Sequence, residues 1–200
     1  MKKILFLSLI FLIGFIWSCA PLKRTDCEIE FDRILKLSTE NKDKFIRGNL
    51  FIHGIYTVFY GNLGNKSQLT FRTPFGNKLF TLKYSPEKIC VVTPQGENLC
   101  GKDLDMYWDY FNLKIPFDIK ELLTGQFKIS PKDKHYCKDG FLIVENNGAV
   151  LKYNSLKPVE ISYKGFKAAY RYNKDKPEKI TLYQDGQELL RIYIRELREK

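Results

Sequence analysis

Apolar and polar residues alternate along most of this chain, and short turns interrupt the alternation at regular intervals. From Phe45 onward the period is two; Leu69 and Phe71, for example, alternate with polar neighbours. A period of two is the pattern of a strand with one buried face. Turns such as 74–77 (Pro-Phe-Gly-Asn) are too short to hold a crossover helix, so the sheet is predicted to be antiparallel. About eleven strands are expected.

The number of strands restricts the shape of the sheet. Open twisted sheets of this size curl or split into two layers, and too few helices are predicted to cover both faces. The expected fold class is mainly β (α+β), with a concave face that encloses a space. Nine bulky side chains are predicted to line it: Leu50, Ile52, Tyr56, Val58, Tyr60, Leu69, Phe71, Phe80 and Leu82. An ordinary packed core is the alternative for the same residues.

Three helices are predicted beside the sheet. Thr25-Asp26-Cys27-Glu28 has the spacing of a capping box, and an apolar stripe follows it, which predicts an amphipathic helix over 26–40. Shorter helices are predicted at 103–111 and 118–123, and Gly125 is expected to close the second of these.

The remaining organisation is that of one domain. A polar stretch at 131–137 is predicted as a loop between two runs of strands. No linker separates the runs, so residues 26–200 are expected to form a single domain.

The N-terminus carries a short basic head and then an almost wholly apolar run at 4–17. Such a run is shorter than the ~20 residues that cross a bilayer, but it suits the hydrophobic segment of an export signal. The residues Ile16-Trp17-Ser18-Cys19 resemble a bacterial lipobox. This predicts a lipoprotein signal peptide at 1–18, lipidation of Cys19, and a lipidated tether at 19–25.

The residue after Cys19 bears on the membrane that the protein reaches. It is Ala20 rather than Asp, and by analogy with enterobacterial sorting this favours the outer membrane. The chain would then be lipid-anchored and face the periplasm. The alternative is a plain signal peptide that is cleaved near Ala20, with Cys19 incidental.

The chain is basic, with 33 Lys and Arg against 23 Asp and Glu and a net charge of +10. Exported proteins do not usually meet nucleic acid, so no nucleic-acid partner is expected. The excess charge favours attraction to an anionic membrane surface, worth ~1 kcal/mol for each basic residue near it. A merely solvated basic surface is the alternative.

Four further cysteines, Cys27, Cys90, Cys100 and Cys137, can form disulfides in an oxidising compartment. A hairpin loop at 94–96 would place Cys90 directly opposite Cys100, at a separation close to what a disulfide needs. Cys27 and Cys137 would then be the remaining pair. Sequence alone allows three connectivities.

The sequence lacks the common catalytic and metal-binding motifs, including Gly-x-Ser-x-Gly, His-Glu-x-x-His and Cys-x-x-Cys. His53 and His135 have no nucleophile signature nearby. Residues 61–67 look superficially like a phosphate-binding loop, but Asn65 stands where that motif needs Gly, and a strand follows instead of a helix. The chain is therefore not expected to be an enzyme or to hold a cofactor or metal.

The order of these elements resembles the outer-membrane lipoprotein receptor family LolB over most of the mature chain. The lipidated Cys19 precedes a helix, and Arg47-Gly48 opens the first strand. Residues 69–76 (LTFRTPFG) are similar to the family's strand that ends in a Pro-Leu-Gly turn. Residues 115–125 (IPFDIKELLTG) are similar to its helix that ends in Leu-x-Gly.

The resemblance implies a fold and a function. The fold would be an antiparallel sheet curved into an incomplete barrel, with helices as a lid over an apolar cavity. The function would be that of a monomeric receptor, which takes lipoproteins from a LolA-like carrier, shelters their acyl chains and inserts them among outer-membrane lipids without nucleotide. The alternatives are an outer-membrane lipoprotein of the same fold that binds another apolar ligand or lipid, and a structural lipoprotein with a filled core.

The same resemblance gives a role to Phe75. This residue occupies the position of an exposed apolar side chain that inserts into the bilayer during delivery. Moving a Phe side chain out of water is worth ~1.5–3 kcal/mol. The alternative is a turn residue that folds back onto the sheet.

Overall fold

The computed structural model describes residues 26–40, 42–85, 87–101 and 115–200, which contain two helices and thirteen strands. The helices are α1 (Asp26–Thr39) and α2 (Ile119–Thr124). The strands are β1 (Lys44–Ile52), β2 (Ile55–Leu63), β3 (Ser67–Arg72), β4 (Lys78–Ser85), β5 (Lys88–Val92), β6 (Asn98–Gly101), β7 (Lys134–Lys138), β8 (Phe141–Asn146), β9 (Ala149–Asn154), β10 (Lys157–Tyr163), β11 (Phe166–Asn173), β12 (Lys176–Gln184) and β13 (Gln187–Glu199).

All thirteen strands belong to one antiparallel sheet, in the order β6-β5-β4-β3-β2-β1-β13-β12-β11-β10-β9-β8-β7. The sheet consists of two meanders, β1–β6 and β7–β13, which are joined where β1 pairs with β13. That pairing runs from Lys44 opposite Glu199 to Ile52 opposite Leu190. Strands β6 and β7 form the two edges, so the sheet is open and is not closed into a barrel.

The tight loops of the meanders explain why consecutive strands pair with each other. Five connections are two-residue loops that end in glycine and have positive φ at both residues: 53–54, 139–140, 147–148, 164–165 and 185–186. This backbone conformation matches the right-handed twist of paired strands, and glycine adopts it without steric cost at the second position. Such loops return the chain directly beside the strand that it has just left.

The number of strands is larger than the eleven or so predicted. One of the differences is the stretch 131–137, which was predicted as a polar loop but contributes most of β7. Among the thirteen described strands, β7 pairs with β8 alone, and most of its side chains are exposed. An edge strand with polar and charged residues is a common way to prevent pairing with other chains, and its composition hides it from hydrophobic periodicity.

The two described helices agree with the predictions at 26–40 and 118–123. Helix α1 packs on β7 and β8 through its buried side chains Phe31 and Ile34, and the ring of Phe31 stacks on that of His135 at 3.7 Å. Helix α2 lies against β12. In the described part of the chain, neither helix has the length and apolar character needed to cross a membrane.

The predicted helix at 103–111, the signal peptide at 1–18, Cys19 and the tether at 19–25 lie outside the described residues.

One face of the sheet, here called the inner face, is apolar and covered. In the part of the chain that the structure describes, α1 and the segment 115–129, which includes α2, cover it. The opposite, outer face carries mainly polar and charged side chains, with several Lys–aromatic contacts such as Lys167 over the Tyr183 ring at 5.3 Å. The most deeply buried residues of the inner face are Ile46, Leu63, Leu69, Leu82, Leu142, Val144, Leu151, Ala168, Ile180 and Leu182.

Candidate functional site

The segment 115–129, called the cover segment below, is shaped by its own turn chemistry. Asp118 caps α2: its carboxylate accepts hydrogen bonds from the backbone N–H groups of Lys120 (2.8 Å) and Glu121 (3.0 Å). Gly125 ends the helix in the left-handed conformation, with φ of 67°. Between these ends Leu122 and Leu123 are buried against the sheet. Asp118 and Gly125 therefore limit α2 to about one and a half turns, which lie on the inner face.

Among the described residues, four hydrogen bonds join side chains of the sheet to the cover segment. One runs from Asn146 Nδ2 of β8 to the carbonyl of Lys128 at 2.9 Å. The Tyr84 hydroxyl of β4 donates to Asp118 Oδ2 at 2.6 Å, and the Tyr170 hydroxyl of β11 donates to the carbonyl of Leu122 at 3.0 Å. Lys44 Nζ of β1 donates to Gln126 Oε1 at 2.8 Å. The segment also buries seven apolar side chains against the inner face: Ile115, Phe117, Ile119, Leu122, Leu123, Phe127 and Ile129.

The charge of the cover segment depends on pH. Burial raises the pKa of Glu121 to about 7, and the nearby Asp118 carboxylate adds to the effect. Burial also raises the pKa of Tyr84 and of Tyr170, so both hydroxyls stay protonated and can donate. Glu121 is therefore the group of this segment that changes charge near neutral pH.

A cleft of about 310 Å³ opens between α1 and the cover segment. Its walls are mostly apolar: Ile34, Leu37, Phe127, Tyr153, Leu156, Pro158, Tyr172 and Leu197, with Lys44, Lys157 and Asp175 among the polar residues. Within the described residues the Tyr172 hydroxyl is buried and has no hydrogen-bond partner. Ligand pockets begin at ~300 Å³. The cleft therefore suits an apolar chain with a polar group at one end.

A second, more polar cleft of about 480 Å³ lies on the other side of the cover segment. It is lined by the end of α1, the β2–β3 loop and the polar residues of α2, including Asp118 and Glu121. Among the described residues no group of three or more His, Cys, Asp or Glu side chains could hold a metal ion.

Six of the nine predicted lining residues belong to the inner face. Ile52, Leu69, Phe71, Phe80 and Leu82 are buried there, and Leu50 is partly buried against them. They form packed core rather than the wall of the cleft between α1 and the cover segment: the ring centroids of Phe71 and Phe80 are 4.5 Å apart and those of Phe59 and Phe71 are 5.7 Å apart.

The other three, Tyr56, Val58 and Tyr60, lie on the outer face, opposite to the prediction. The inner face of β2 carries Thr57, Phe59, Gly61 and Leu63 instead. Both faces of β2 have aromatic and branched side chains, so alternation alone does not identify the buried one, and a shift of one residue exchanges the faces. Phe59 was missed for this reason. Its ring lies close to Gly48, on the neighbouring strand, where a Cβ would collide with it.

Phe75 lies at the tip of the β3–β4 hairpin and is 93% exposed. The loop beneath it is held by backbone hydrogen bonds from Thr73 N–H to Asn77 O (2.8 Å) and from Gly76 N–H to Thr73 O (3.0 Å). Arg72 donates from Nη1 to the Gly76 carbonyl (2.8 Å). Phe75 therefore projects from an ordered loop into solvent and does not fold back onto the sheet.

The β5–β6 hairpin repeats this loop with a different tip. Thr93 and Glu97 exchange the same contacts as Thr73 and Asn77, and the Gly96 N–H donates to the Thr93 carbonyl at 3.0 Å. The residue that corresponds to Phe75 is Gln95. The chain thus contains one loop geometry with an apolar tip and the same geometry with a polar tip.

Two disulfides are present among the described residues. Cys90 lies directly opposite Cys100 in the β5–β6 pair, with 4.1 Å between their Cα atoms, and the two are bonded. The second disulfide joins Cys27 of α1 to Cys137 of β7 across 110 residues of sequence. It attaches the start of α1 to the edge of the sheet.

No protein-family model and no curated protein matches the chain. Solved structures do match. A DUF1329 family protein from Desulfovibrio piger has a TM-score of 0.56 at 9% identity, with 88% of this chain and 94% of that one covered. A LolA superfamily protein from Nitrosomonas europaea has a TM-score of 0.51 at 8% identity, with 84% and 93% covered. At such identities the likeness shows the fold alone, and the fold of this chain is the LolA/LolB-like one.

Proposed function

We propose that the protein is a lipid-anchored outer-membrane receptor, which accepts lipoproteins from a LolA-like periplasmic carrier and inserts them into the outer membrane. Cys19 is its lipidation site, and Phe75 enters the bilayer during delivery. The observation that carries the proposal is Phe75, a large apolar side chain held 93% exposed on an ordered loop. An exposed Phe side chain lowers the solubility of the protein. Its transfer out of water is favourable by ~1.5–3 kcal/mol.

The acyl chains of the cargo enter at the cleft between α1 and the cover segment. In this proposal the cleft of about 310 Å³ takes the first part of a chain. Displacement of the cover segment then exposes the apolar inner face to the rest. Each buried methylene is worth ~0.8 kcal/mol, so a chain moves between two apolar sites with little net change and needs no nucleotide.

A second candidate function has its own support. The buried and unpartnered Tyr172 hydroxyl lies in the same cleft, where Lys44 and Lys157 are also found. A single lipid or another apolar ligand with one polar group would satisfy that hydroxyl. In this alternative the protein is an outer-membrane lipoprotein of the same fold that binds such a ligand and delivers no protein.

Transfer of a loaded lipoprotein tests the proposal directly. A radiolabelled lipoprotein bound to a LolA-like carrier is mixed with the processed protein in vesicles, and the label in the vesicle fraction is measured. We expect transfer that depends on this protein. Binding of a fluorescent fatty acid without transfer would favour the alternative function, and absence of both would contradict the two candidates together.

A further inference from the structure

The charge of the chain is concentrated in one part of the sheet. Residues 44–85, which form β1–β4, contain no Asp or Glu. They contain six basic residues: Lys44, Arg47, Lys66, Arg72, Lys78 and Lys83. This segment therefore supplies +6 of the net charge of +10, although it is about a fifth of the chain.

Two hairpin tips of this segment lie at the same end of the sheet. The β1–β2 and β3–β4 hairpins lie side by side because β2 pairs with β3, and the last pair at this end is Val58 opposite Arg72. Continuing that register by three residues brings Ile55 level with Phe75. Ile55 is 61% exposed, the largest exposure of any large apolar side chain among the described residues after Phe75.

Apolar side chains lie next to one of the two tips, and basic side chains lie next to the other. On the outer face below Ile55, Phe51 lies directly opposite Tyr56, and both are partly exposed. Behind Phe75, Arg72 lies opposite Lys78, at the ends of β3 and β4. Apolar tips with cations one step behind them match the layers of a membrane surface, where acyl chains lie beneath anionic headgroups.

We propose that Ile55 is a second membrane contact, which enters an anionic phospholipid surface together with Phe75 while Lys78 lies among the headgroup phosphates. This inference rests on the proposed function, since it uses the same bilayer. One inserted side chain lets the protein rotate about that point, whereas two tips on adjacent hairpins restrict its tilt. Next to the β3–β4 tip this acid-free segment places Arg72 and Lys78, and two neighbouring cations favour phosphates as the partner.

Depth-dependent quenching tests the contact. Ile55→Trp, Phe75→Trp and Gln95→Trp are made singly, and Gln95 is the control because its loop has the same backbone hydrogen bonds. Each processed protein is incubated with phosphatidylethanolamine–phosphatidylglycerol vesicles whose acyl chains carry bromine. The fluorescence of the unsubstituted protein is subtracted, since the processed protein retains Trp108. Thermal unfolding checks that each variant is folded.

We expect severalfold quenching at Ile55→Trp and at Phe75→Trp, and little at Gln95→Trp. Quenching at Phe75→Trp without quenching at Ile55→Trp would overturn this inference and leave the proposed function standing. Absence of quenching at both would overturn the inference and the membrane role of Phe75 together. Equal quenching at all three positions would also overturn it, because the insertion would then be unspecific.

The charge component has its own measurement. Lys78→Gln should weaken association with the anionic vesicles about fivefold, the effect expected of one basic residue near the surface. The exposed Lys138, in edge strand β7, serves as the control position. An equal loss for Lys138→Gln, or no loss for Lys78→Gln, would contradict the placement of Lys78 at the headgroups.

Discussion

The Tyr84 hydroxyl donates a 2.6 Å hydrogen bond to the carboxylate of Asp118, the residue that caps α2. One carboxylate thus serves two purposes: one oxygen starts the helix and the other holds the cover segment to β4. Residues 34 positions apart in sequence are joined by this contact. Its strength influences how readily the inner face can be uncovered.

Tyr84→Phe should loosen the cover segment and leave the sheet intact. A hydrogen bond to a charged group contributes ~1.5–3 kcal/mol, so we expect unfolding free energy to fall by that order. Urea unfolding measures the fall, and hydrogen exchange should be faster in 115–129 than in the strands. Tyr183→Phe on the outer face is the control, because its ring remains available to Lys167. Unchanged exchange in the cover segment would show that Tyr84 does not hold it.

Phe75→Glu should abolish lipoprotein delivery without affecting folding. The side chain is almost fully exposed, so the native state loses little contact, whereas a carboxylate at the tip prevents insertion into the bilayer. The transfer assay and thermal unfolding measure the two effects. Phe75→Leu should retain delivery, and Gln95→Glu, at the matching loop, should not impair it. Normal delivery by Phe75→Glu would exclude the insertion role.

The two disulfides should differ in their contribution to stability. The loop closed by Cys27 and Cys137 spans 110 residues and the loop closed by Cys90 and Cys100 spans 10. Chain entropy then predicts losses of ~4–5 kcal/mol and ~3 kcal/mol when each pair is replaced by serine. Urea unfolding of the two double variants gives the comparison. A larger loss from the shorter loop would contradict the entropic account.

Stability should decrease as pH rises through the range set by Glu121. Burial raises the pKa of this carboxyl from 4.5 to about 7 in the folded protein. A raised carboxyl pKa means that the native state binds the proton more tightly than the unfolded state does. The contribution of Glu121 to the free energy of unfolding is therefore complete below pH 4.5 and is lost as the pH rises to 7. Glu121→Gln should remove this part of the pH dependence, whereas Glu178→Gln at the exposed Arg171 contact should not. Melting curves between pH 5 and pH 8 measure it.

Local sequence patterns correctly predicted much of the framework. The spacing at 25–28 predicted that α1 begins near Asp26, and Thr25 itself lies outside the described residues. Gly125 correctly predicted the end of α2, because a cap satisfies backbone groups within a few residues of itself. The Thr-Pro-x-Gly loops placed the β3–β4 and β5–β6 hairpins, and the second of these sets Cys90 opposite Cys100. In each case the residues that determine the structure are neighbours in the chain.

Patterns failed where partners are distant or where both faces of a strand look alike. Strand β7 is an edge strand whose polar residues resemble a loop, and it forms because β8 offers it a partner. In β2 the apolar character of Tyr56, Val58 and Tyr60 equals that of the buried set, and the packing of Phe59 against Gly48 decides between them. For the inner face the sequence left both a lined cavity and a packed core open, and only the structure shows that the cover segment packs onto this face.

The sequence by itself determined the period of the strands, the position of their turns and the cap that ends α2, since these depend on contacts within about ten residues. Only the tertiary structure decided that β1 pairs with β13, that the sheet remains open at β6 and β7, and which side chains the cover segment buries. Each of these outcomes depends on contacts between residues that are far apart in the sequence. Many alternative arrangements gain almost the same free energy from hydrophobic burial and backbone pairing, so local patterns do not select among them. The relative height of Ile55 and Phe75 belongs to the same class, because it follows from the β2–β3 register.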